Sequence, residues 1–262
     1  LCGLDASSGD ILWSAGEDSG SLHTSPTIWE HDGGAIAICN VRGGKTIGVD
    51  LKSGEQQWEI ETMAGHATPV VTGDFLLTYG SSRKAGLRCF KLHAGEAPME
   101  KWVFQGAADS GSSPVVAGKH VFVQGERRMA CVELATGDEV WRTTLDLERP
   151  RYASPIAADG KVFYAFSNVL CFSATSDKYQ SLMNAKINGE GLMAEEAVFR
   201  KLLGMDELET TADGQAQAEK LWRKTFNDAG PLTCATPAIA DGRLYLRFKN
   251  RLACYDLRAD RP

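Results

Sequence analysis

Five residues stand three positions ahead of five prolines: His23, His66, Gly111, Tyr152 and Cys234 precede Pro26, Pro69, Pro114, Pro155 and Pro237. Two imidazoles, a phenol and the guanidinium of Arg151 beside it are groups that bind anions, stack on flat ligands or hydrogen-bond a partner's side chains. A second set with chemical potential is the seven cysteines. Four of them share one local pattern, Arg-Cys-Phe at Cys89, Ala-Cys-Val at Cys131, Leu-Cys-Phe at Cys171 and Ala-Cys-Tyr at Cys254. The chain has no Cys-x-x-Cys and no His-x-x-x-His, so zinc has little support, and an odd count speaks against a complete disulfide framework. The four patterned cysteines read instead as small side chains buried in a tight strand.

The elements that would position these groups come from a repeat. Gly3-Leu4-Asp5-Ala6-Ser7-Ser8-Gly9-Asp10-Ile11-Leu12-Trp13 returns as Gly48-Val49-Asp50-Leu51-Lys52-Ser53-Gly54-Glu55-Gln56-Gln57-Trp58, then more loosely around Gly95 with Trp102 and Gly137 with Trp141. Trp222 is placed at the same mark. The second marker is Ser25-Pro26, Thr68-Pro69, Ser113-Pro114, Ser154-Pro155 and Thr236-Pro237, with prolines 43, 45, 41 and 82 residues apart. A unit of roughly 42 residues has the length of a four-stranded propeller blade. Within each unit apolar runs are separated by turn signals such as Asp159-Gly160 and Asp241-Gly242, which read as tight hairpins. The fold class expected is therefore an all-β propeller of four-stranded blades. Each tryptophan, following a glycine turn, offers a broad apolar surface to the neighbouring blade, worth on the order of 2–3 kcal/mol when buried.

The Asp-x-x-x-Gly-x-x-x-Trp segment, with Ser/Thr-Pro opening the next unit, resembles the pyrroloquinoline-quinone (PQQ) repeat of quinoprotein dehydrogenases and of non-catalytic outer-membrane assembly propellers. The resemblance covers the chain apart from one insertion. It implies a ring of seven or eight blades, of which about five are present, and an exported, periplasmic or extracellular, location. The chain opens at Leu1 and closes past Leu257 in third strands, and so reads as a piece of a longer polypeptide forming one propeller domain over 1–262.

The insertion spans 177–220. Met193 to Gly204 reads as a short amphipathic helix with Met193, Ala197, Val198, Leu202 and Leu203 near one face, stopped by Gly204. Asp206, Glu207, Glu209 and Asp213 follow as a solvated acidic stretch. A net charge of −6 argues against a nucleic-acid footprint, and no apolar run is long enough to span a membrane. The basic pairs Arg83-Lys84 and Arg127-Arg128 fall at hairpin tips.

In dehydrogenases of this resemblance the quinone lies at the ring centre with a cysteine pair, a tryptophan and a calcium ion. This chain has no Cys-Cys dipeptide, and Asp5 and Asp50, with Lys91, Glu133, Ser173 and Asp256 in the matching places, vary as turn residues do. The reading is a non-catalytic platform without a cofactor, binding a protein partner or small ligand at the propeller face. The channel mouth lined by His23, His66, Arg151 and Tyr152 is its candidate site. The alternative is a fragment of a PQQ- and calcium-dependent alcohol or sugar dehydrogenase.

Overall fold

A computed structural model describes residues 1–16, 23–146, 152–226, 230–232 and 234–258. The chain forms two compact units, Leu1–Ser154 and Pro155–Pro262, where the repeat reads as one continuous domain. In the first unit β1 (Cys2–Leu4) pairs with β2 (Ile11–Ser14). Three four-stranded antiparallel sheets follow. They are β3 (Thr27–His31), β4 (Gly34–Val41), β5 (Lys45–Asp50) and β6 (Gln56–Glu61); β7 (Val70–Thr72), β8 (Phe75–Tyr79), β9 (Leu87–Lys91) and β10 (Met99–Phe104); and β11 (Val115–Ala117), β12 (His120–Gly125), β13 (Arg128–Glu133) and β14 (Glu139–Thr144). Strand order follows chain order in each sheet, as the blade reading requires.

The second and third strands of each blade are nearly continuous apolar runs because both faces of the sheet are covered. Trp29, Ile38, Trp58, Leu76 and Phe90 form one core between the first two complete sheets. Leu77, Tyr79, Trp102, Val121 and Val132 form another between the second and third.

The marker turn explains its own residues. In the second copy the Gly54 N–H donates to the Asp50 carbonyl, while Asp50 Oδ1 accepts the N–H groups of Lys52 and Ser53 and the Ser53 hydroxyl. This turn delivers Gly54, at φ +76°, beneath the tryptophan of the preceding sheet: a Cβ there would lie 2.4 Å from Trp13 Cγ. Trp13 Nε1 then donates to the Leu51 carbonyl at 3.1 Å. The arrangement recurs with Gly137 under Trp102, whose Nε1 donates to the Leu134 carbonyl at 2.9 Å. Gly9 keeps the turn, its N–H donating to the Asp5 carbonyl, and Gly95 keeps the left-handed backbone at φ +76°, but neither has anything near enough to meet a Cβ.

In the second unit β15 (Ile156–Ala158), β16 (Lys161–Ala165), β17 (Asn168–Ser173), β18 (Ser181–Ile187) and β19 (Met193–Glu195) form a five-stranded sheet. Three helices follow, α1 (Glu196–Leu202), α2 (Met205–Leu208) and α3 (Ala212–Phe226). A three-stranded sheet closes the unit: β20 (Ala238–Ala240), β21 (Arg243–Arg247) and β22 (Leu252–Asp256). Asp159 and Asp241, each followed by glycine, form the tight hairpins expected of them, with both residues of each pair at positive φ.

Four expectations change here. The fourth strand of the β15–β19 sheet lies inside the span read as insertion, at Ser181–Ile187, where Met183 stands opposite Cys171 in the place other blades give to tryptophan. Trp222 is accordingly on helix α3 and not at the blade mark; its interval of 81 residues mimicked two repeat lengths. The amphipathic face of α1 also differs. Its buried residue is Phe199, set edge-on to Phe226 at 5.0 Å, while Val198 and Leu202 point outward. Gly204 does stop the helix, at φ +62°. Asp206 and Glu209 are not simply solvated, since both hold Arg200, at 2.7 and 2.5 Å.

Candidate functional site

The site begins with the residue before each repeat proline, which proline forces into extended backbone. In that conformation the residue's N–H points along the row of blades. Ser25 donates to Thr68 Oγ1 at 3.2 Å, Thr68 to Ser113 Oγ at 2.9 Å, and Ser113 to Ser154 Oγ at 2.9 Å. The hydroxyls of Thr68, Ser113 and Ser154 are therefore acceptors for the preceding blade, a role the Ser/Thr-Pro markers displayed without disclosing its purpose. The connecting segments are fixed further by Asn40 Nδ2 and Thr24 Oγ1, both donating to the Ala67 carbonyl, and by the Tyr79 hydroxyl donating to the Gln124 carbonyl.

This row brings three of the four candidate residues together. The rings of His23 and His66 lie 5.2 Å apart at 34°, and those of His66 and Tyr152 lie 6.2 Å apart at 52°. The His23 N–H donates to His66 Nδ1 at 3.3 Å, which places the proton of a neutral His66 on Nε2. Gly111 occupies the third position because a Cβ there would lie 2.0 Å from Tyr152 Cδ1, so a bare backbone lets the phenol ring reach across its blade. Arg151 lies outside the described residues.

Sequence reasoning missed the residue that organises this end of the row. Asp109 is buried, and its Oδ1 accepts the N–H groups of Gly111 at 2.9 Å, Ser112 at 2.7 Å and Tyr152 at 3.3 Å. It thereby holds Tyr152 in a left-handed backbone, φ +59°, that a bulky residue otherwise avoids. The signal was available as Asp-x-Gly-Ser, a segment suited to a carboxylate capping the following amides.

The cysteines are not drawn into a site. Cys89, Cys131 and Cys171 are buried, and burial pushes the Cys89 thiol up to about 12. Cys254 departs from the expectation: it is exposed, on β22 at the edge of the three-stranded sheet that the described residues form.

A second concavity lies in the second unit, a cleft of about 450 Å³ among the helices. Met205 and Trp222 line it together with Glu196, Arg200, Glu209 and Glu219. Lys186 stands 5.8 Å over the Trp222 ring and 3.5 Å from Glu196, and Arg223 pairs with Glu219, so the cleft's carboxylates are largely engaged within their own unit.

A quinone with its calcium ion would need a converging set of oxygen ligands. The Asp5 and Asp50 carboxylates are committed to their own turns: Asp5 Oδ1 accepts the Ser7 and Ser8 N–H groups and the Ser7 hydroxyl. Among the described residues no three His, Cys, Asp or Glu side chains gather closely enough to hold a metal ion. The residues described do not fit that group.

The strand order, the glycine-seated tryptophans and the Ser/Thr-Pro row together define a β-propeller of the PQQ-repeat class. A family model described as outer membrane protein assembly factor BamB matches residues 1–143 and again 97–178, and the chain belongs to this family. Among solved structures it is similar to BamB from Moraxella catarrhalis, with 13% identity and a TM-score of 0.61, over 97% of this chain and 65% of that one. It thus spans just under two thirds of that protein's length. A looser likeness, to a europium-containing methanol dehydrogenase, has 12% identity and a TM-score of 0.43, over 68% of this chain and 34% of the other. No curated protein matches the sequence.

Proposed function

We propose that this chain is a non-catalytic binding platform that works, as the name of its family indicates, in the assembly of outer-membrane proteins, and that it does so in the periplasm. The observation that carries the reading is the row of His23, His66 and Tyr152 on a rigid hydrogen-bonded base. Its rings are partly exposed and adjacent, and their backbone is fixed by interblade bonds, so they suit recognition of side chains on a partner protein with little ordering cost. Nothing in the row supplies an acid–base pair with a bound electrophile, and the reading assigns no cofactor.

The test uses the full-length protein in its native envelope, with a photo-crosslinking residue in place of Ser81, which lies beside Gly65 in the row, or in place of Lys52 on the opposite turns. A discrete protein adduct from position 81 and none from position 52 is expected. Saturable one-to-one quenching of tryptophan fluorescence by PQQ with calcium, followed by dye reduction with an alcohol or sugar, would refute the platform and establish the dehydrogenase.

A further inference from the structure

We infer that the end of the first unit carrying this row is a docking surface for an acidic segment of a partner protein, an inference that rests on the platform reading and names the partner's chemistry. First strands leave this end and second strands return to it, so the turns joining second to third strands gather here: 42–44, 80–86 and 126–127. They and their flanks carry Arg42, Arg83, Lys84, Arg127 and Arg128. Glu126 serves two of these cations through one oxygen, with Arg83 Nη2 at 2.6 Å and Arg128 Nη1 at 2.8 Å. Arg127 is 3.9 Å from Asp146, which is fully exposed. Among the described residues, Arg42 and Lys84 are exposed and have no carboxylate within ion-pair distance. The turns between third and fourth strands, at the opposite end, carry with the strand ends that lead into them Asp5, Asp10, Asp50, Glu55, Glu96, Glu133 and Asp138 against Lys52 and Lys91. Arg42 and Lys84, with Arg127 only loosely held, thus stand exposed at the end of the first unit that bears His23, His66 and Tyr152.

The backbone adds an independent observation. The β12–β13 hairpin turns through Glu126 and Arg127, both left-handed at φ +53° and +68°. Two-residue turns of this kind favour Asn-Gly, and the corresponding β4–β5 turn uses Gly43 and Gly44 at φ +83° and +75°. Keeping Glu-Arg where glycine is relaxed stores strain in return for two charged side chains at the tip, and such outliers mark functional surfaces. Separate guanidinium forks on successive turns match discrete carboxylates along a peptide. The acidic remainder of the molecule opposes a broad anionic sheet such as a lipid surface.

Fluorescence anisotropy of labelled deca-glutamate with the full-length protein at low salt tests this, with deca-glutamine as the neutral control. Binding is expected for deca-glutamate alone, weakened about tenfold in the R42Q/K84Q/R127Q variant, the effect of losing three exposed charge contacts. K52Q should leave it unchanged. The R127G variant should bind more weakly while unfolding at higher denaturant, because only the cation and its left-handed strain are removed. Absence of deca-glutamate binding, or equal binding by the triple variant, overturns the inference. Retention on phosphatidylglycerol vesicles without peptide binding does the same and assigns the surface to lipid. A position-81 crosslink that survives in the triple variant would overturn the acidic-segment inference while leaving the platform reading intact.

Discussion

Replacing Gly137 with alanine, set against the same change at Gly95, separates the two tasks that the marker glycine performs. Both residues are left-handed, at φ +81° and +76°, so each substitution costs about 1–2 kcal/mol from backbone strain alone. At Gly95 a Cβ meets nothing within 4 Å. At Gly137 it would lie 2.6 Å from Trp102 Cγ and Cδ2, on a ring that is 9% exposed and whose Nε1 is tied to the Leu134 carbonyl. The ring cannot retreat without losing that bond, and overpacking of this kind adds about 1–3 kcal/mol. G95A should therefore destabilise by about 1–2 kcal/mol and G137A by about 2–5 kcal/mol. Urea unfolding followed by circular dichroism, with slopes compared so that only midpoint changes are interpreted, measures both. In a W102L background the G137A effect should fall to that of G95A, a coupling of about 1 kcal/mol or more. Equal destabilisation of the two glycine variants, within about 0.5 kcal/mol, would refute the claim that the turn exists to seat the neighbouring blade's tryptophan.

The Ser113 hydroxyl accepts the Thr68 N–H at 2.9 Å, so S113A should cost about 1–3 kcal/mol by stranding a partly buried donor, whereas S113T should restore stability in urea unfolding. Asp5 has its carboxyl lowered from 3.8 to about 2, chiefly by the Ser7 hydroxyl and then by the Ser8 and Ser7 amides. A depressed folded value means this stabilisation is complete above about pH 4 and is lost as pH falls toward 2, so D5A should flatten the acid limb of the urea midpoint in that window. A thiol reagent at mildly alkaline pH should modify Cys234 at once, and Cys89, Cys131 and Cys171 only at the unfolding rate, as mass spectrometry of the labelled peptides would report; rapid labelling of Cys89 would contradict its burial.

What the sequence made legible were residues whose task recurs from blade to blade. Asp5 and Asp50 cap the amides of their own turns, Gly54 and Gly137 admit a ring, and the residue before proline is extended; each leaves a recognisable letter at a fixed place in the unit. Trp222 shows where that logic fails. It lay at a repeat-length interval but belongs to α3, because Ser181–Ile187 had already supplied the fourth strand with a methionine opposite Cys171. One blade dispensed with its tryptophan, and spacing alone could not say so. The row of His23, His66 and Tyr152 was half legible: counting back from proline gave the positions, yet Asp109, which holds Tyr152 from 43 residues away, follows no repeat. The hairpin tips are less legible still. A turn tolerates almost any polar sequence, so Arg83-Lys84 and Arg127-Arg128 look like ordinary solvated loops until two facts are joined, the common end to which antiparallel strands return them and the left-handed backbone kept at Glu126 and Arg127.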